Sequence, residues 1–123
     1  MPPERRRFPR FTPVETAYAA LGTAFSKIGR LKDFSRGGLS FEYLGGVPAE
    51  DAQTTVEVFL IDNSFHIHSL PCAVVYDMLE APHTAADAPL EKRRCGVKLV
   101  SPSSGHQGQI SFFLSSYVRP EPS

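Results

Sequence analysis

The stretch Asp33-Phe34-Ser35-Arg36-Gly37-Gly38-Leu39-Ser40-Phe41 places a polar turn between two runs that alternate apolar and polar residues. Asp33 and Ser35 carry side-chain oxygens that hydrogen-bond to nearby backbone or to a ligand. The glycine pair allows another group to approach the backbone closely. We therefore predict a hairpin, with strands at residues 27–32 and 39–44. Taken alone, these residue types suit an ordinary turn as well as a binding loop.

A basic segment with interleaved aromatics lies near the N-terminus, Arg5-Arg6-Arg7-Phe8-Pro9-Arg10-Phe11. Pro9 fixes its own φ and disfavours a helix at Phe8, so the segment is predicted to be extended. Phe8 and Phe11 can anchor it while the arginines stay free. A solvated basic tail is the simpler alternative, but the aromatic residues favour an arm that docks on the body.

Composition restricts the class of protein. The 123 residues fit one domain that buries its own core without metal or disulfides. The 13 basic and 13 acidic residues cancel, so no overall field favours nucleic acid or a membrane surface. There is no signal-peptide pattern and no apolar run of about 20 residues, which predicts a soluble, cytoplasmic protein. Cys72 and Cys95 lack metal-ligand spacing and are expected to be buried and reduced.

The rest of the chain is mainly β. Strands are predicted at residues 13–21, 54–61, 65–78 and 93–100, in addition to the two around the turn. Pro71 is expected to mark a bulge, kink or edge. Towards the C-terminus the period changes to that of one helical face, formed by Ile110, Phe113, Leu114, Tyr117 and Val118. The order of elements favours a small antiparallel barrel or sandwich with a short C-terminal helix.

Two candidate chemistries carry less weight. His66 and His68 share one strand face, and such a pair can chelate a metal, but no third ligand lies nearby in sequence. We therefore predict no metal site and no cofactor. Ser, His and Asp are all present without a nucleophile elbow or a paired-acid pattern, so we predict that the protein is not an enzyme.

The two motifs together are informative. Arg6-x-x-x-Arg10, then 22 residues, then Asp33-x-Ser35-x-x-Gly38 followed by Leu39-Ser40-Phe41, closely resembles the PilZ domain family. The resemblance runs from residue 5 to about residue 118 and includes Gly96 in the last strand. It implies a six-stranded antiparallel β-barrel with a C-terminal α-helix, and a bacterial cytoplasmic receptor for cyclic di-GMP. The corresponding division is a flexible arm at residues 1–11, the barrel domain at 12–118 and a tail at 119–123.

The resemblance also implies roles for individual residues. Arg6 and Arg10 would wrap the ligand, and Asp33, Ser35 and Gly38 would form the barrel half of the site. Arg5, directly before the first motif arginine, favours an intercalated pair of cyclic di-GMP molecules over a single one. Arg36 lies outside the minimal motif and would add positive charge to the ligand-binding site.

Elementary chemistry agrees with these roles. A guanidinium can fork onto phosphate oxygens, pair with guanine O6 and N7, or stack on the base. An ionised Asp33 can accept the N–H groups of the guanine edge.

The expected mechanism is that the ligand orders the arm across the turn and so alters a surface for a downstream protein partner, in a monomer or weak homodimer. One alternative is a PilZ-like adaptor that acts through protein contacts without nucleotide. Another is a small barrel that binds single-stranded nucleic acid, which the neutral net charge disfavours.

Overall fold

The computed structural model describes residues 8–22, 27–45, 53–80 and 91–119. Within these ranges the chain forms six strands and one helix: β1 (Ala17–Leu21), β2 (Lys27–Phe34), β3 (Gly38–Gly45), β4 (Gln53–Leu60), β5 (His66–Leu79), β6 (Glu91–Leu99) and α1 (Ser104–Ser116). All of the predicted strands are present, and their bounds differ most at the start of β1.

The strands close into a barrel in the order β1-β2-β3-β6-β5-β4, and β1 completes the closure by pairing with β4. Each neighbouring pair is antiparallel. Closure gives each of these strands two paired neighbours, which protects their backbone groups from pairing with other chains. The predicted mainly-β, six-stranded antiparallel barrel with a C-terminal helix is confirmed, and the sandwich alternative is wrong.

The barrel core is built from the alternate side chains that the period-2 pattern selects. α1 adds its own apolar face to this core through Ile110, Phe113 and Leu114. The Phe113 ring lies 5.1 Å from that of Phe34, the last residue of β2. Because Phe34 directly precedes Ser35, packing of α1 fixes the point at which the turn begins.

The predicted helical face extends beyond the end of the observed helix. α1 starts at Ser104, capped by the Ser103 hydroxyl, which accepts a 3.0 Å hydrogen bond from the His106 backbone. It ends at Ser116, and Tyr117 is its C-cap. Val118 pairs instead with Pro13 in an isolated bridge. Extended pairing with the segment before β1 therefore replaces the last turn that the spacing predicted.

The same pairing explains why β1 is shorter than predicted. Residues 13–16 belonged to the predicted strand but precede β1 in the structure. Val14 donates to the Tyr117 carbonyl at 2.9 Å, and Arg119 donates to the Thr12 carbonyl at 2.7 Å. Residues 12–14 and 117–119 thus lie side by side next to α1.

β2 and β5 each contain a β-bulge. In β2, Leu31 pairs with Phe41 and Asp33 with Ser40, so β2 carries one extra residue there. In β5, the register passes from Val74↔Val97 to Tyr76↔Gly96, which again leaves one extra residue. Bulges bend a strand and redirect its side chains, and these two lie on the strands that flank β3 and β6.

A further bulge lies near Pro71. The register of β4 with β5 passes from Val58↔Ile67 to Val56↔Leu70. His68 and Ser69 therefore oppose the single residue Glu57, and Ser69 adopts a positive φ of 51°. The irregularity expected around Pro71 is present, but it is centred two residues earlier.

Both cysteines are buried and free, as predicted. Burial raises the pKa of Cys72 to about 11. Burial, with the nearby Asp77 carboxylate, raises the pKa of Cys95 to about 12. The neutral thiols therefore behave as small apolar core groups. No helix in the described ranges is long and apolar enough to cross a membrane.

Candidate functional site

The turn between β2 and β3 is closed by its own hydrogen bonds. The Ser35 hydroxyl accepts from the backbone N–H of Gly37 at 3.1 Å and of Gly38 at 3.2 Å. The Ser35 backbone N–H donates to the Gly38 carbonyl at 2.8 Å. Ser35 therefore holds the turn in shape, which is one of the two roles that its residue type allowed.

Asp33 is the centre of the polar surface beside the turn. Its Oδ1 accepts from Arg10 Nη1 at 2.9 Å. Its Oδ2 accepts from the Ser40 hydroxyl at 2.8 Å and from Arg94 Nη2 at 3.3 Å. The bulge in β2 makes this possible, because it places Asp33 directly opposite Ser40. The Arg10–Asp33 pair joins the two sequence motifs.

Arg94 belongs to this cluster, although neither sequence motif contains it. Its Nε donates to the Ser40 hydroxyl at 3.0 Å, and its Nη1 lies 3.6 Å from a carboxylate oxygen of Glu80. The alternation of β6, with Cys95 and Val97 inward, does place Arg94 on the outer face. Its contact with Asp33, however, depends on the non-local pairing of β3 with β6.

Gly38 permits a close approach of two strands. A Cβ at this position would lie 2.5 Å from the Val97 carbonyl oxygen of β6. Gly96, on β6, lies beneath the ring of Tyr76, which occupies the space that a side chain would need. Because neither glycine has a side chain, the outer surface of the sheet is recessed between β3, β6 and β5.

A cavity of about 660 Å³ lies over this recessed surface. Its size is typical of small-ligand sites. Its walls include a cation from the N-terminal segment, the turn, and an aromatic ring and a lysine from the sheet: Arg10, Ser35, Gly38, Tyr76, Gly96 and Lys98. The bulge of β5 next to β6 lies at this wall, at Val75. The cavity therefore combines positive charge with a flat aromatic surface.

Arg36 is oriented towards α1. Its Nη1 donates to the Ser111 hydroxyl at 2.7 Å. It lines a second cavity of about 340 Å³ together with Gln107 and Ile110 of α1. Phe8 and Gly37 line both cavities. Of the predicted site residues, Arg36 is thus the one that connects the turn to the helix.

The N-terminal segment reaches the barrel at Phe11, which exchanges two backbone hydrogen bonds with Phe34, at 2.9 and 3.0 Å. Phe8 packs on Gly37, where an added Cβ would come within 2.9 Å of the phenyl ring. Of the predicted ligand-binding residues, the structure brings together Arg10, Asp33, Ser35 and Gly38. Arg5 and Arg6 lie outside the described residues.

Solved structures with the same fold have low sequence identity to this chain. A PilZ domain of YcgR from Escherichia coli, solved with c-di-GMP, matches with a TM-score of 0.69 and 18% identity, over 93% of this chain and 92% of that chain. YcgR from E. coli in complex with c-di-GMP matches with a TM-score of 0.66 and 16% identity, over 92% of this chain and 46% of that one. The MrkH–c-di-GMP complex of K. pneumoniae matches with a TM-score of 0.63 and 18% identity, over 91% and 52%.

The chain thus spans nearly all of an isolated domain, but only about half of the two longer chains. No protein-family model matches the sequence, and no curated protein matches it. The likeness therefore rests on the structure. By its closed six-stranded barrel and C-terminal helix, the chain has the PilZ-domain fold that the sequence resemblance implied.

Proposed function

We propose that this chain is a receptor for cyclic di-GMP that acts by binding and not by catalysis. One observation carries the proposal. Arg10, from the N-terminal segment, lines the 660 Å³ cavity and also pairs with Asp33 of the polar cluster beside the turn. The solved PilZ structures to which the chain is similar were determined with c-di-GMP.

The cavity offers the chemical groups that this ligand requires. Cyclic di-GMP carries two phosphates and two guanines. Arg10 and Lys98 supply positive charge for the phosphates, and Arg10 has the planar fork that suits phosphate oxygens or a guanine edge. Tyr76 supplies a ring beside which a base can pack. The Asp33 carboxylate can accept guanine N–H groups if its pairing with Arg10 rearranges.

The N-terminal segment is the moving part of the proposed mechanism. The Arg10 side chain is 40% exposed, and its bond to Asp33 is an ion pair at the surface. In the proposal, cyclic di-GMP replaces Asp33 as the partner of Arg10 and orders residues 1–11 across the turn. Arg6 would be the second arginine that binds the ligand. A segment that orders on binding is a known kind of switch. The barrel of residues 12–118 would stay unchanged while the arm presents a new surface to a partner protein.

Arg5 sets the proposed stoichiometry. A further flat cation next to Arg6 can stack on or pair with an additional guanine. We expect two cyclic di-GMP molecules per site. An Arg5→Ala variant is expected to lower the ratio towards one, as measured by titration calorimetry.

The decisive experiment is calorimetric titration of the protein with cyclic di-GMP, beside the variants Arg10→Ala and Arg30→Ala. Arg30 is the matched control, because it is an arginine on β2 with a similar exposed fraction, 44%, and its partner is Glu15. Loss of charge-assisted hydrogen bonds should weaken binding by Arg10→Ala about 10- to 100-fold. Arg30→Ala should bind as the unmodified protein does.

Two results would overturn the proposal. Absence of binding by the unmodified protein would favour the adaptor that acts without nucleotide. Equal weakening by the two arginine substitutions would indicate general electrostatic attraction, and a steep salt dependence with oligonucleotides would then favour nucleic-acid binding.

A further inference from the structure

A second cluster of polar side chains lies away from the turn, between β4 and β5. His66 Nε2 lies 2.7 Å from Glu57 Oε1, and His68 Nδ1 lies 3.3 Å from the same oxygen. One ligand atom from each of the three residues falls within 4.8 Å of the other two. Glu57 is a third potential ligand, which no spacing in the sequence placed beside the two histidines. It comes from the neighbouring strand.

The carboxylate is held in place by its second oxygen. Ser69 donates its backbone N–H to Glu57 Oε2 at 2.6 Å. This bond exists because Ser69 occupies the bulge with a positive φ, which turns its N–H towards β4. The Glu57 side chain is only 9% exposed. One oxygen is thus fixed by the backbone while the other faces both imidazoles.

Side chains of α1 form hydrogen bonds with the backbone of both histidines. Gln109 donates its side-chain amide to the His66 carbonyl at 3.3 Å. The His106 ring makes a 2.9 Å hydrogen bond with the His68 carbonyl. The Phe59 ring lies 5.6 Å from that of His66. The two hydrogen bonds hold the backbone of β5 at the histidines and leave the ring nitrogens to the cluster.

We propose that Glu57, His66 and His68 form a mononuclear site for a borderline divalent cation such as Zn²⁺. Two imidazole nitrogens and one carboxylate oxygen are donors that Zn²⁺ prefers, and three protein ligands leave a fourth position for water. To bind the ion, His66 Nε2 must offer its lone pair, so a hydrogen on that nitrogen moves to Nδ1 of a neutral ring or leaves an imidazolium for solvent.

The fit requires small movements only. Ligand atoms about 2.0–2.1 Å from a tetrahedral zinc lie about 3.3 Å from one another. The His68–Glu57 distance already has this value, and the His66–Glu57 distance of 2.7 Å must widen. The two imidazole rings are stacked with centroids 3.7 Å apart, so one must rotate. His68 is 71% exposed and is free to do so.

A simple ion pair explains less of this arrangement. One imidazole suffices to pair with Glu57, and His66 already makes the shorter contact. The stacked second ring adds little to that pair, yet it completes a set of three donors. In the described ranges, this is the group of three potential ligands whose atoms come close enough to share an ion.

The proposed metal site does not depend on the nucleotide site. It is built on β4 and β5 near the turn of residues 61–65, whereas the cavity beside Asp33 is lined from β3, β5 and β6 further along the barrel. Failure of one proposal therefore leaves the other standing.

The test is competition for Zn²⁺ between the protein and a chromophoric chelator, with His68→Ala and Glu57→Gln as variants. His106→Asn is the matched control, because His106 is not a proposed ligand and its hydrogen bond reaches the backbone carbonyl of His68 and not an imidazole nitrogen. The expected result is one Zn²⁺ per chain, with affinity at least about tenfold lower in each of the two variants and unchanged in the control.

Because His68 is exposed, its substitution should not disturb folding. Circular dichroism of each variant checks this. As a second measurement, Co²⁺ substitution should give a visible spectrum of nitrogen and oxygen ligation without a thiolate charge-transfer band. No Zn²⁺ binding by the unmodified protein, unchanged affinity in His68→Ala, or an equal loss in His106→Asn would each overturn the proposal.

Discussion

The two halves of the candidate nucleotide site are held in very different ways. Around the turn, Ser35 and Ser40 are almost completely buried, and their hydroxyls take part in several hydrogen bonds each. On the N-terminal side, the described contacts include the Phe11 backbone pair and its side chain on the edge of the core, the Phe8 ring and one exposed ion pair of Arg10. The turn half is part of the barrel, and the arm half rests on it.

This difference indicates which half a ligand can change. Buried, satisfied polar networks are costly to disrupt, because each broken bond leaves a desolvated group. An exposed ion pair contributes little and is easily exchanged for another partner. A dianion that competes for Arg10 would therefore move the arm and leave the turn as it is.

Gly38→Ala should break the turn half most severely. The new methyl group would lie 2.5 Å from the Val97 carbonyl oxygen, on the backbone of the paired strand. Either β3 or β6 must shift, and overpacking of this kind costs about 1–3 kcal/mol of unfolding free energy. Urea unfolding monitored by circular dichroism measures the loss.

Gly108→Ala is the matched control for this substitution. Gly108 lies in α1, and nothing lies within 4 Å of a Cβ there. Alanine should raise the unfolding free energy by about 0.5–1 kcal/mol, because it favours the helix. If the two alanine variants had the same sign, the steric account of Gly38 would be wrong.

The contrast between the halves also marks what sequence could predict. The strands, the turn and the core face of α1 follow from local periodicity and residue type, so they were predicted without knowledge of pairing. The resemblance supplied the closed barrel. The resemblance implied that the two motifs contribute to one ligand site, bridged by the ligand, whereas the direct ion pair between Arg10 and Asp33 is a finding of the structure.

The residues that the sequence did not predict owe their positions to the register between strands that are distant in sequence. Arg94 reaches Asp33 only because β6 pairs with β3 and because β2 carries a bulge before Asp33. Glu57 faces His68 because another bulge sets two residues of β5 against one of β4. A bulge shifts every later pair by one residue, and no local pattern in this sequence marks its position to that accuracy.

Asp33→Asn tests the charge at the centre of the turn half. The amide keeps the shape and can still accept from Ser40, but it loses the ionic part of the bonds from Arg10 and Arg94. We expect a loss of about 0.5–1.5 kcal/mol in urea unfolding. The effect should be smaller than that of Gly38→Ala, since no backbone has to move.

Glu15→Gln is the control for Asp33→Asn, because Glu15 also faces two arginines, Arg30 at 3.7 Å and Arg119 at 3.6 Å. Its side chain is 67% exposed, so the substitution should change stability by less than about 0.5 kcal/mol. Similar losses for the two substitutions would mean that burial does not distinguish the turn half from an ordinary surface pair.

Arg10→Ala should have the smallest effect on stability, although it is expected to have a large effect on binding. The ion pair with Asp33 is exposed on the arginine side, and such pairs contribute about 0–1 kcal/mol. Asp33 keeps Ser40 and Arg94 as partners after the substitution. Urea unfolding without ligand should therefore be nearly unchanged, while titration with cyclic di-GMP should show the proposed loss of affinity. A destabilisation as large as that of Gly38→Ala would instead show that Arg10 is part of the folded body, and the separation of a fixed half from a movable half would be wrong.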